Sequence, residues 1–231
     1  MSRGVFVTGT DTGVGKTVAA CALLAALQAR QVPCLPMKPV AAGAVALDGT
    51  SANEDSLALM RAAGCEAGDL ARVTPVLLRE ALAPHIAADR EGVTIRLEPI
   101  LAAFAELAAR GKFLVVEGVG GWQVPLAPGL DTRGLARALG LPGVLVVGLR
   151  LGCLNHALLT AESVAGSGLA LAGWIANEME QPMAAADENV AALLERLDAP
   201  LLARLPRFTP PDPGALARHF DPEAIAALTA R

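Results

Sequence analysis

Short runs of apolar residues recur along this 231-residue chain, separated by stretches with helical spacing. The clearest runs cover residues 5–8, 113–117, 144–148 and 171–177, with weaker ones at 34–38 and 201–205. They are continuous rather than alternating, which is the pattern of strands buried on both faces. Helical spacing predicts helices over residues 16–30, 56–63, 97–110, 132–139, 155–167 and 185–197. Strand and helix in alternation predict an α/β fold with a mostly parallel sheet, flanked by helices and joined by right-handed crossovers. Residues 40–54 and 73–92 read as irregular, and the proline-rich tail at 209–214 reads as a surface-hugging end followed by a short helical pattern. With no internal repeat and no flexible linker, residues 1–231 are expected to form a single domain.

Composition narrows the function classes. Hydrophobic residues make up 53 % and charged residues 18 %, enough for a large core. Aromatics are 3 % and tyrosine is absent, so alanine, leucine and valine must fill that core. A net charge of −4 gives no reason to expect nucleic acid or an anionic membrane as partner. Cys21, Cys34, Cys65 and Cys153 form no C-x-x-C unit and have no histidine cluster beside them, which argues for buried free thiols over a zinc site or disulfide framework. The phosphate-loop pattern begins within a few residues of Met1, and no apolar stretch is long enough to span a bilayer, so a cytoplasmic location is expected.

The run at 5–8 enters Gly9-Thr10-Asp11-Thr12-Gly13-Val14-Gly15-Lys16-Thr17 and then an alanine- and leucine-rich helix. Strand, glycine-rich turn and helix in this order make a phosphate-binding loop. Its backbone N–H groups can cradle phosphate oxygens, helped by the positive end of the helix dipole. Lys16 can reach the outer phosphates and the Thr17 hydroxyl can ligate Mg²⁺. The generic spacing G-x-x-x-x-G-K-[ST] needs glycine at position 10, where this chain has Thr10; the first glycine, Gly9, lies one residue early. An ordinary glycine-rich strand-to-helix turn is the alternative.

In open α/β sheets ligands gather beyond the carboxyl ends of the strands. Glu117 closes the run at 113–117 ahead of glycines and suits a second Mg²⁺ anchor, an oxygen donor for a hard cation; a solvated carboxylate is the bland alternative. Lys38 ends the run at 34–38, where an ammonium can stabilise a transferring phosphoryl group or stand in solvent. Asp55 opens a helical pattern, where the dipole alone would account for it. Gly152, Cys153, Leu154 and Asn155 open another helix and offer free N–H groups to a carboxylate, or simply a cap by Asn155. Asn177 carries both a donor and an acceptor, as the adenine edge does, or forms a turn. Trp122 lines a pocket or anchors a loop, while His85 and His219 stand alone.

Taken in order, the phosphate loop, Lys38-Pro39-Val40, Glu117-Gly118-Val119-Gly120-Gly121-Trp122, Leu151-Gly152-Cys153-Leu154-Asn155-His156 and Gly173-Trp174-Ile175-Ala176-Asn177 resemble the dethiobiotin synthetases. The resemblance runs to about Pro206, and its last two segments are the most specific. It implies a phosphate-loop NTPase-like fold and an ATP- and Mg²⁺-dependent ligase. The substrates are 7,8-diaminononanoate and CO₂, joined through a phosphorylated carbamate. By position, Thr17, Asp55 and Glu117 would hold Mg²⁺, and Lys16 and Lys38 would stabilise the phosphoryl group and carbamate. Gly13, Val14, Gly15, Lys16, Thr17 and Val18 would cradle the phosphates, flanked by Gly118, Val119 and Gly120. Asn177, Glu178, Leu205, Pro206 and Arg207 would lie on the adenine side. Thr12 and Ala42 would face the substrate, and Gly152 to Asn155 of one subunit would bind the substrate carboxylate of the other in a homodimer. Lys38→Ala would cut turnover while leaving the fold intact.

Three departures stand out: Ala42 where the family often has serine, Gly13 where some members have glutamate, and Arg150 where some have lysine. None removes the ATP–Mg²⁺ core. Cobyrinate-type amide ligases usually carry a glutaminase domain for which this chain has no room. Partitioning ATPases often carry a second loop lysine, where this chain has Thr10, Asp11 and Thr12.

Overall fold

The computed structural model describes residues 3–47, 50–179 and 181–230. β1 (Gly4–Gly9), buried along its length, runs through the glycine loop into α1 (Lys16–Ala29). β2 (Cys34–Met37) follows, then the short strands β3 (Val40–Ala42), β4 (Ala44–Leu47) and β5 (Thr50–Asn53), and α2 (Glu54–Ala63). α3 (Leu70–Val73), β6 (Val76–Leu78), α4 (Pro84–Glu91) and α5 (Leu97–Ala108) lead to β7 (Phe113–Glu117). Next come β8 (Pro125–Ala127), β9 (Leu130–Asp131), α6 (Thr132–Leu139), β10 (Gly143–Leu149) and α7 (Cys153–Gly166). β11 (Leu171–Glu178), α8 (Ala186–Leu194), β12 (Leu201–Leu205), α9 (Pro213–Ala217) and α10 (Pro222–Thr229) complete the order.

The six apolar runs become one parallel sheet in the order β12-β11-β10-β1-β7-β2. The chain leaves β1 for the β2 edge, returns through β7 and crosses to β10, so a crevice opens at the carboxyl end of β1. Alternate residues of β1 feed opposite layers. Val5 and Val7 pack with Leu23, Leu24 and Leu27 of α1, whereas Phe6 packs with Ile100 and Leu107 of α5 and Leu135 of α6. A third cluster joins Leu145, Trp174, Ala157 and Leu193 beneath α7 and α8. With few aromatics, alanines let α1 lie close against sheet and neighbouring helices; Ala19, Ala20, Ala22 and Ala26 are all fully buried.

Three expectations change. The segments read as irregular contain β3 to β6 and α4, elements too short to show a period. β3 pairs in parallel with β6, and β4 with β5 as an antiparallel hairpin; Asp48 and Gly49, within the first segment, lie outside the described residues. The tail does not merely hug the surface: Leu216, Phe220, Ile225 and Leu228 are buried in the same core as α1. α7 begins at Cys153, two residues earlier than predicted, because Gly152 at φ 94° serves as its N-cap without any side chain from Asn155. The four cysteines are free thiols, with Cys65 half-buried and the others buried. Among the described residues no helix is long and apolar enough to cross a membrane.

Candidate active site

The loop after β1 turns at Gly13 and Gly15, whose φ angles of 75° and 86° favour residues without Cβ. Lys16 then opens α1 with no side-chain cap, leaving the first N–H groups of the helix to serve an anion. The Lys16 ammonium folds back and donates to the Asp11 carbonyl at 2.9 Å. Burial pushes its pKa down to about 8, against the pull of Glu117.

Opposite the loop, Lys38 sits one residue beyond β2, its backbone N–H held by the Val73 carbonyl at 2.8 Å. Its ammonium donates to Glu117 Oε1 at 2.5 Å, to Asp55 Oδ2 at 3.2 Å and to the Gly118 carbonyl at 3.3 Å. Lys38 and Glu117 are only 3 % and 1 % exposed, so neither is the solvated surface group that sequence alone allows. Burial disfavours the lysine charge, but the Glu117 and Asp55 carboxylates outweigh it and hold the pKa above its ordinary value. Thr17 Oγ1 donates to the same Glu117 oxygen at 2.9 Å. Glu117 Oε2 is buried and has no hydrogen-bond partner among the described residues. A buried, unpaired carboxylate oxygen is costly unless a ligand uses it. Thr17, Glu117 and, through Lys38, Asp55 thus converge as hard oxygen donors of the kind Mg²⁺ takes.

Asp55 is positioned by Asn53, which sequence analysis passed over. Asn53 Oδ1 accepts from the N–H groups of Asp55 and Ser56 at 3.0 and 3.4 Å, capping α2. Its Nδ2 donates to the Ala42 and Gly43 carbonyls at 3.0 and 3.2 Å. One buried amide therefore ties the start of α2 to the Ala42 turn. An asparagine just ahead of Glu54-Asp55 was the available signal. Thr74 adds a second tie, donating its hydroxyl to Ser56 Oγ at 2.7 Å.

These groups border a cleft of about 800 Å³. Of the residues predicted for the site, Thr12, Gly13, Gly15, Lys16, Thr17, Val18, Lys38, Ala42, Asp55, Glu117, Val119 and Gly120 line it. Val14 is buried beneath the loop and Gly118 behind Glu117. Asn177 stands below the loop, donating to the Val14 carbonyl at 3.0 Å. Glu178 and Arg207 border a separate cleft of about 290 Å³, where Arg204 holds Glu178 at 3.1 Å. Leu205 is buried in the core and Pro206 half-buried beside it. Gly152, Cys153, Leu154 and Asn155 do not line the large cleft; Cys153 is buried and Asn155 exposed. Arg150, just ahead of them, reaches back to Asp11 of the phosphate loop. Trp122 anchors the glycine turn, its ring edge-on to Phe6 at 6.3 Å.

Residues 3–213 match the family profile described as an AAA domain. A protein of Ralstonia nicotianae named ATP-dependent dethiobiotin synthetase BioD is 51 % identical over 226 residues, covering 98 % of this chain and 97 % of its own. A protein of the same name from Aromatoleum aromaticum is 51 % identical over 215 residues, covering 93 % of this chain and 95 % of its own. Among solved structures, the septum site-determining protein MinD of Pyrococcus horikoshii, complexed with Mg-ADP, aligns with a TM-score of 0.53. It is 20 % identical over 99 % of this chain and 95 % of that one, a likeness of fold.

Proposed function

The chain belongs to the dethiobiotin synthetase family, and on that footing we propose that it closes the ureido ring of dethiobiotin from 7,8-diaminononanoate and CO₂ at the expense of ATP. One amine takes up CO₂ as a carbamate and loses a proton. A carbamate oxygen takes the γ-phosphoryl group, releasing ADP. The second amine then attacks the carbonyl carbon, the C–O bond to phosphate breaks, and the amine loses a proton as the ring closes.

The observation that carries this reading is the Lys38 ammonium held between Glu117 and Asp55, facing the glycine loop across one cleft. Phosphoryl transfer needs positioning and charge neutralisation rather than a protein nucleophile. The loop N–H groups and Lys16 bind and orient the phosphates. Lys38 stabilises charge on the carbamate and on the phosphoryl group in flight. Thr17, Asp55 and Glu117 hold Mg²⁺; the unpaired Glu117 oxygen and the all-oxygen donor set fit it. Bound there, Mg²⁺ supplies charge neutralisation on the polyphosphate. Asn177 and residues 205–207, at the end of β12, serve the nucleotide base. Because Gly152 to Asn155 lie off the phosphate cleft of their own chain, they suit the substrate carboxylate of a second subunit in a homodimer.

Purified protein given 7,8-diaminononanoate, bicarbonate and Mg-ATP should release ADP and dethiobiotin in equal amounts. ADP release that does not depend on the diamine would rule the reading out.

A further inference from the structure

The phosphate loop carries one residue more than the generic spacing, and the structure shows what holds the longer loop in place. The Val14 side chain is fully buried. It sits over two positions that have no side chain of their own. A Cβ on Gly9 would come within 2.7 Å of the Val14 Cγ2, and one on Gly148 within 3.2 Å of its Cβ. The Val14 carbonyl is held from below by the Asn177 amide, which donates to it at 3.0 Å from the carboxyl end of β11. Asn177 is 8 % exposed, and a Cβ on Gly15 would run into that same amide.

A trans peptide is rigid, so holding the Val14 oxygen also fixes the direction of the Gly15 N–H on the opposite side. Gly15 borders the large cleft. The geometry points to Asn177 as the positioning residue of the phosphate loop: its amide sets the Val14–Gly15 peptide so that the loop meets a polyphosphate already shaped. This goes beyond contact with a base and rests on the phosphate-binding reading of the cleft. An amide has two N–H groups and a carbonyl, so holding Val14 leaves capacity for a base as well.

Inorganic tripolyphosphate separates the two roles because it has no base. Calorimetry should compare Mg-tripolyphosphate and Mg-ATP on the parent protein and on Asn177→Ala, with melting temperature as the check on folding. Loss of one hydrogen bond predicts that tripolyphosphate binds about two- to tenfold more weakly to the variant, and ATP at least as much more weakly. Tripolyphosphate affinity equal to the parent's overturns the proposal, whether ATP binding falls or not; in the first case Asn177 reads only the base. If Asn177→Ala does not fold, Asn177→Ser, too short to reach Val14, is judged by the same criterion. A parent protein that binds neither ligand overturns the reading of the cleft beneath the proposal, and the proposal with it.

Discussion

Lys38 Nζ lies 2.5 Å from Glu117 Oε1, and both side chains are almost wholly shut off from water. Two strand ends thus share one buried charge pair, on which the fold depends whatever part it takes in the proposed reaction. Breaking such a pair strands the remaining charge, at about 3–5 kcal/mol. Lys38→Ala is therefore expected to lower stability by about that amount as well as cut turnover by about a hundredfold or more, a cost that sequence analysis left out. Adding Glu117→Gln should restore much of the stability and none of the turnover. Denaturant titrations beside ADP-release assays check both, and full stability in Lys38→Ala would contradict the account of the pair.

Asn53 holds Asp55 at one end and the Ala42 turn at the other. Asn53→Ala should cost about 1–2 kcal/mol for the lost cap. If Asp55 is a metal ligand, the Mg²⁺ concentration for half-maximal turnover should rise about tenfold. Asn53→Asp keeps the cap and loses the amide donors, so it should fall between. An unchanged Mg²⁺ dependence in Asn53→Ala would show that Asp55 needs no such support.

Asp69 and Arg110 make a paired contact at 2.6 and 3.0 Å. The Arg110 guanidinium holds the Asp69 carboxyl below its ordinary pKa. A depressed acid stabilises the fold above its unfolded pKa, near 4, and that contribution fades as pH falls through the lower folded value. The parent should exceed Asp69→Asn by about 0.2–1 kcal/mol at pH 7. The gap should close in more acidic solution. Thermal melts of both proteins, taken from neutral pH down through the roughly pH 4 midpoint of a free aspartate, give the comparison. A gap that widens toward acid would reverse the assignment.

Burial pushes the Cys21 thiol up to about 12 and the Cys34 thiol up to about 11. Since the thiolate is the reactive form, both should resist iodoacetamide near neutral pH and react only on unfolding. Peptide mass mapping with and without denaturant reads this directly. Rapid labelling of native Cys21 would mean that α1 opens far more readily than its packing indicates.

The central strands β1, β7, β10 and β11 were legible because they are buried along nearly their whole length and read as apolar runs, whereas β2 and β12 read more weakly, Pro36 interrupting one and the half-buried Arg204 the other. The convergence of the glycine loop, Lys38 and Glu117 on one cleft was legible because each follows or closes an apolar run, at the carboxyl ends of strands where parallel α/β sheets gather ligands. What escaped was support. Asn53 is an ordinary cap in sequence, and its second pair of hydrogen bonds exists only because the β4–β5 hairpin folds back and sets Asn53 opposite Ala44, beside the Ala42 and Gly43 carbonyls. Asn177 was read toward the base, while its contact with Val14 joins residues 163 positions apart. The depth of the Lys38–Glu117 pair was equally hidden, since burial of a charged group depends on what the rest of the chain lays over it. The helices of the tail were legible as a pattern, but not the core they close.

The absence of tyrosine gives the two tryptophans an unshared role as spectroscopic reporters. Trp174 lies fully buried in the sheet, while Trp122, also buried, packs edge-on to Phe6 in the segment between the cleft-lining Gly120 and Val124. Ultraviolet emission from this protein therefore comes from one lamp in its foundation and one beside its working edge. Replacing either with phenylalanine leaves a single-site probe, so global unfolding and local events at the cleft can be followed separately without any attached dye.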